Sequence, residues 1–159
     1  MLTVQHSRIL AIDYGQRRVG LAISDALQAT AQGLPTIIYS NRKDLFNKLE
    51  AIFKQYQIRQ IVLGLPQHMN GSDSQRTREV KRFARRLSER FNVEVKLWDE
   101  RLTSVAAKHT MLQLGKSPSR AKEHVDQIAA ILILQGYLDF LKNSKWNYSS
   151  DEEGNITKT

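Results

Sequence analysis

Three acidic segments lie far apart in a chain of 159 residues: Ala11-Ile12-Asp13-Tyr14-Gly15, Trp98-Asp99-Glu100-Arg101-Leu102-Thr103-Ser104 and His124-Val125-Asp126-Gln127-Ile128-Ala129-Ala130. Each sets a carboxylate where a short apolar stretch ends or where a strongly apolar helix begins. A charged carboxylate in apolar surroundings must be paired, hydrogen-bonded or bound to a metal. One shared divalent cation would satisfy all three, and such an arrangement suits magnesium-assisted cleavage of phosphodiesters. Each acid also has an ordinary reading. Asp13 could accept hydrogen bonds in its own turn, Glu100 could pair with Arg101 or Lys96, and Asp126 could sit favourably near a helix start. Asp99 and Glu123 are spare acids close by. Strand alternation turns Asp99 away from Glu100, while Glu123 lies one helical turn before Asp126.

The rest of the chain supplies positive charge. With 24 Lys and Arg against 16 Asp and Glu, the net charge is +8, which favours a polyanionic partner. Arg78, Lys81, Arg82, Arg85, Arg86 and Arg90 crowd one segment, and Arg17 and Arg18 follow Asp13 closely. Both groups are candidate phosphate contacts, with an ordinary solvated surface as the alternative. The absence of cysteine excludes disulfides, thiolate zinc sites and a cysteine nucleophile. His6, His68, His109 and His124 lack paired metal-ligand spacing. Residues 1–5 lack a signal-peptide pattern and no apolar run approaches membrane-spanning length, so a soluble cytoplasmic protein without a membrane segment is expected.

These residues need a scaffold, and 41% hydrophobic composition is enough for one domain. Arg8 to Asp13 and Val19 to Ser24 read as a hairpin around Tyr14-Gly15-Gln16-Arg17, with Gly15 able to supply positive φ. A third strand is expected near Thr36 to Tyr39. Leu45, Phe46, Leu49, Ile52, Phe53 and Tyr56 recur at helical spacing behind a cap at Ser40 or Asn41. Gln60 to Gly64 reads as a buried strand, followed by a loop over 67–73. From Ser74 to Phe91, Val80, Phe83, Ala84, Leu87 and Phe91 form one apolar stripe, with the arginines elsewhere around the wheel. Val93, Val95 and Leu97 alternate with Glu94, Lys96 and Trp98, and period two carries Glu100 to the Trp98 side. A helix from Thr103 or Ser104 to about Leu114, stopped by Gly115, precedes a linker over 116–120. Glu123 to Leu141 is too apolar for a surface helix. Residues 1–143 therefore read as one domain and 144–159 as a polar, disordered tail.

Strand, strand, strand, helix, strand, helix, strand and terminal helices is the element order of the ribonuclease H-like α/β fold, a three-layer arrangement with a mixed central sheet flanked by helices. Beyond that order, Asp13-Tyr14-Gly15, Val19-Gly20-Leu21-Ala22, Gly64-Leu65-Pro66, Asn70-Gly71-Ser72, Val93-Glu94-Val95-Lys96-Leu97, Asp99-Glu100-Arg101-Leu102-Thr103-Ser104 and Val125-Asp126 before Ala129-Ala130-Ile131-Leu132 closely resemble the bacterial YqgF/RuvX family across Arg8 to Leu141. The resemblance implies a metal-dependent nuclease, assigned to 5′-end maturation of precursor 16S ribosomal RNA and also described as a Holliday junction resolvase. Carried over by motif position, it implies that Asp13, Glu100 and Asp126 form the catalytic and metal-binding triad, with Mg2+ or Mn2+ as cofactor. Gln16 departs from the pattern, standing where threonine commonly follows the Asp-x-Gly unit.

The expected substrate is precursor ribosomal RNA or the pre-ribosome, with a DNA junction as the enzymatic alternative. Paired cuts in a junction require a symmetric dimer, whereas the RNA reading accommodates a monomer or weak homodimer. A catalytically weak nucleic-acid-binding assembly factor is the non-enzymatic alternative, which the intact acids disfavour. A nucleotide phosphotransferase would need a second domain and a phosphate loop of Walker type. The candidate nucleic-acid contacts are Arg17, Arg18, Arg78, Arg82 and Arg85.

Overall fold

The computed structural model of the protein describes residues 7–65, 75–100 and 118–156, and within the last of these the side chains of 125–144. The elements run β1 Arg8–Tyr14, β2 Arg18–Ser24, β3 Ala31–Ile38, α1 Arg42–Gln55, β4 Ile58–Leu65, α2 Gln75–Phe91, β5 Glu94–Asp99 and α3 Pro118–Ile156. The five strands form one sheet in the order β3-β2-β1-β4-β5. β1 is antiparallel to β2, β2 to β3, while β1 runs parallel to β4 and β4 to β5. β1 is therefore central and apolar on both faces.

Period two divides β1 between two cores. Leu10 and Ile12 join Leu45, Phe46 and Leu49 of α1 and Val80, Phe83 and Leu87 of α2 on one face. Ile9 and Ala11 join Ala130, Ile133, Leu134, Tyr137 and Leu138 of α3 on the other. Each large aliphatic chain buried in this way contributes about 1.5–3 kcal/mol. The helix ends follow local chemistry. Asn41 caps α1, its Oδ1 accepting from the Asp44 amide at 2.9 Å, and Asn92 follows α2 in the left-handed region at φ 51°.

α3 begins earlier than the apolar run suggests. Pro118, within the linker expected over 116–120, instead opens the helix, where a missing N–H costs nothing and its φ suits the first turn. The backbone also stays helical to Ile156 through the stretch expected to be a patternless tail, a stretch without proline to stop it. β3 begins at Ala31 rather than near Thr36, because pairing with β2 from Ser24 to Arg18 extends it. Gly15 does not use positive φ. A side chain there would collide with the Arg18 carbonyl, so close passage of the hairpin backbone, not conformation, requires glycine. The helix expected to end near Leu114, the loop over 67–73 and the four histidine side chains lie outside the described residues.

Small residues bring α3 onto the sheet. A Cβ on Gly20 would lie 2.7 Å from the Asp126 carbonyl carbon and nearer still to its oxygen. Backbone cannot yield as a side-chain tip does, so Gly20→Ala is expected to destabilise the protein by about 1–3 kcal/mol. Thermal melts of the purified variant check this; a neutral effect would mean that α3 can shift freely on β2.

Candidate active site

Three elements deliver the acids to one end of the sheet. Asp13 follows Ile9 and Ala11 along the α3 face of β1 and is mostly buried. β5 places Trp98 in the same core, and Glu100 follows two positions later. Between β1 and β5 lies β4, whose Gly64 leaves the gap that Glu100 occupies: a Cβ there would stand 2.7 Å from Glu100 Oε1. Asp126 lies near the start of α3, where its backbone packs on Gly20 of β2.

The electrostatics show how closely these groups meet. Burial, the adjacent Glu100 carboxylate, a hydrogen bond shared with Glu100 and the charge of Asp126 together push the Asp13 carboxyl up to about 7 from its ordinary 3.8. Asp126 is engaged differently: Arg18 Nε donates to its Oδ2 at 2.7 Å. The structure therefore sets Asp13 beside Glu100, with Asp126 near enough for its charge to act on Asp13 but turned to Arg18.

Arg18 lies at the edge of this cluster, whereas Arg17 is exposed on the turn. Arg78, Arg82 and Arg85 are exposed along α2, opposite buried Thr77, Val80, Phe83 and Leu87. Sequence reasoning missed Arg76. Its guanidinium stands 5.3 Å from the centre of the Tyr14 ring and donates to the Tyr14 carbonyl, and its charge opposes the upward shift at Asp13. Tyr14 stacks in turn on Phe83 at 4.1 Å. The only sequence signal for Arg76 is its place in the first turn of the basic helix; the 62 positions separating it from Tyr14 hide the contact.

Among the described residues no three acidic or histidine groups stand together as ligands of a single ion, and Asp126 is paired with Arg18. The donor chemistry nevertheless fits a hard divalent cation. Asp13 and Glu100 are oxygen donors, and the raised proton affinity of Asp13 marks a place short of positive charge. Asp13 and Glu100 could hold such an ion as they lie, and Asp126 could join once free of Arg18. A separate open cavity of about 510 Å³ between β3 and α1, lined by Leu34, Ile37, Ile52 and Tyr56, takes no part in this cluster.

Comparison with known proteins places these features in a context. The sequence profile of the RuvX family, described as Holliday junction resolvase, matches residues 7–140. A protein of Agathobacter rectalis, described as a candidate pre-16S rRNA nuclease, is 44% identical over 141 residues, covering 87% of this chain and 99% of its own. One from Clostridium botulinum strain Hall with the same description is 45% identical, covering 84% and 98%. Among solved structures, T. thermophilus RuvC in complex with a Holliday junction substrate superposes with a TM-score of 0.57 at 14% identity, covering 85% of this chain and 96% of that one. At that identity the likeness speaks for the fold, which is ribonuclease H-like. No described helix is long and apolar enough to cross a membrane.

Proposed function

The chain belongs to the RuvX family, and from that premise we propose that it is a divalent-metal-dependent nuclease that cleaves precursor 16S ribosomal RNA near its 5′ end in the cytoplasm. The observation that carries this reading is the meeting of Asp13 with Glu100, with Asp126 alongside and Arg18 and Arg76 on the flanks. Asp13, Glu100 and Asp126 would hold Mg2+ or Mn2+, which would supply water activation and neutralisation of phosphoryl charge. The chain's own groups do the rest. The buried carboxyls orient the reacting centre from rigid strands. Arg18, paired with Asp126, and Arg76, whose charge acts on Asp13, present positive charge beside it.

Away from the cluster, the exposed stripe of Arg78, Arg82 and Arg85 tracks the substrate backbone, with Arg17 at the turn. Replacing the three stripe arginines together with Gln is expected to weaken RNA binding and reduce its salt slope by about 2, since each phosphate neutralised on a single strand contributes about 0.7. Fluorescence titrations across salt concentrations measure this. Unchanged affinity and slope would return α2 to an ordinary solvated face.

A DNA four-way junction is the second reading, favoured by the family's own description. The two separate by assay. The purified full chain with Mg2+ is expected to shorten a 5′-extended precursor rRNA as a monomer or weak dimer. Paired symmetric nicks in a synthetic junction, with the RNA left intact, would overturn the ribosomal reading and require a stable dimer.

A further inference from the structure

Arg18 and Gly20 alternate along β2 with Val19 between them, so both face α3, and both meet the same residue. Gly20 admits the Asp126 backbone and Arg18 takes its carboxylate. That carboxylate is therefore satisfied by a positive charge from within the chain. The side chains of the pair are 36% and 25% exposed, which leaves the contact open to water and weak enough to exchange. A divalent cation held by Asp13 and Glu100 would be a rival partner for the Asp126 carboxylate, whose charge already acts on Asp13.

We propose that Arg18 is a placeholder counter-ion, which holds Asp126 until metal binds and is handed to a substrate phosphate when the metal claims that carboxylate. The proposal rests on the metal-dependent nuclease reading. It assigns Arg18 two successive partners and couples metal loading to substrate capture. Asp126 is kept paired and in position beforehand, so the site avoids a bare cluster of negative charge. Afterwards the released guanidinium lies beside the metal, where its donors suit a phosphate oxygen. Metal and nucleic acid should accordingly each strengthen the binding of the other.

The test reads binding, not turnover. Mn2+ calorimetry on the intact chain compares wild type, Arg18→Gln and Arg18→Lys. The Gln variant is expected to bind Mn2+ about fivefold more tightly, since the competitor is gone, while the Lys variant keeps a competing charge and stays near wild type. Salt titrations of a labelled single-stranded RNA are then run in chelator and in Ca2+, whose looser coordination disfavours cleavage. In wild type the slope should steepen on adding Ca2+ by about 0.7 more than it does in Arg18→Gln, the value of one phosphate contact. Unchanged or weaker Mn2+ binding by Arg18→Gln, or equal steepening in both proteins, would make Arg18 a fixed support for Asp126 and overturn the handover. Absence of Mn2+ binding by wild type would sink the nuclease reading itself, and the inference with it. The two failures are distinct because only the second removes binding from every protein tested.

Discussion

Changing Asp13, Glu100 or Asp126 singly to its amide is expected to cut metal-supported cleavage a hundredfold or more, about 2.7 kcal/mol of transition-state stabilisation or above. Amides preserve size and remove ligand charge, so RNA binding should survive far better than cutting. The three need not respond equally. Asp13 meets both other acids and should be the most sensitive, while Asp126 already shares its carboxylate with Arg18 and should be the least. Single-turnover rates and binding titrations on one RNA substrate resolve the order. Full activity in any two variants, or in wild type with chelator, would remove the carboxylates from the chemistry.

The second large effect concerns stability and its pH dependence. Without metal, the folded protein holds the Asp13 proton more tightly than the unfolded chain does, since the carboxyl is pushed up to about 7 from 3.8. The sign follows directly. Stability from this group is fully present below pH 4 and is lost as pH rises through 7, because the folded state binds more protons across that window. Taken alone the rise is equivalent to about 4 kcal/mol. Asp13→Asn removes the ionisation. In chelator its melting temperature should match wild type near pH 4 and exceed it by about 5 °C or more at pH 8. Saturating Mg2+ stabilises wild type preferentially and should narrow or reverse the gap. A variant equally destabilised at both pH values, with and without Mg2+, would make Asp13 a structural turn residue.

Both predictions use acids visible in the sequence, and the reasons they were visible are local. Alternation along β1 and β5 told which face Ile9, Ala11, Trp98 and Glu100 share, and the hairpin fixed where Asp13 stands relative to Gly20. The apolar stripes of α1 and α2 likewise announced their buried sides. Periodicity says which face a residue occupies and not what crosses that face. The Arg76 contact with Tyr14, the Arg18 hold on Asp126 and the fit of α3 against Gly20 all join segments distant in the chain. They arise from the sheet order and the path of α3, which no short window contains. The start of α3 at Pro118 was obscured because proline reads equally as a linker residue and as a helix opener.

The span between Arg18 and Asp126, 108 positions in the chain, bears on when the protein becomes active in its own synthesis. Translation delivers the N-terminal hairpin first, at about 5–20 residues per second. Asp13 thus waits several seconds for Glu100 and longer for Asp126, and the central strand β1 cannot gain its parallel neighbour until β4 has emerged. Contacts of such range also form late in folding, after the local ones. A truncated or nascent chain consequently carries acids and arginines but no assembled centre. On the proposed reading of Asp13, Glu100 and Asp126, such a nuclease is expected to stay silent until almost all of its fold is complete, and fragments from premature termination are expected not to cut.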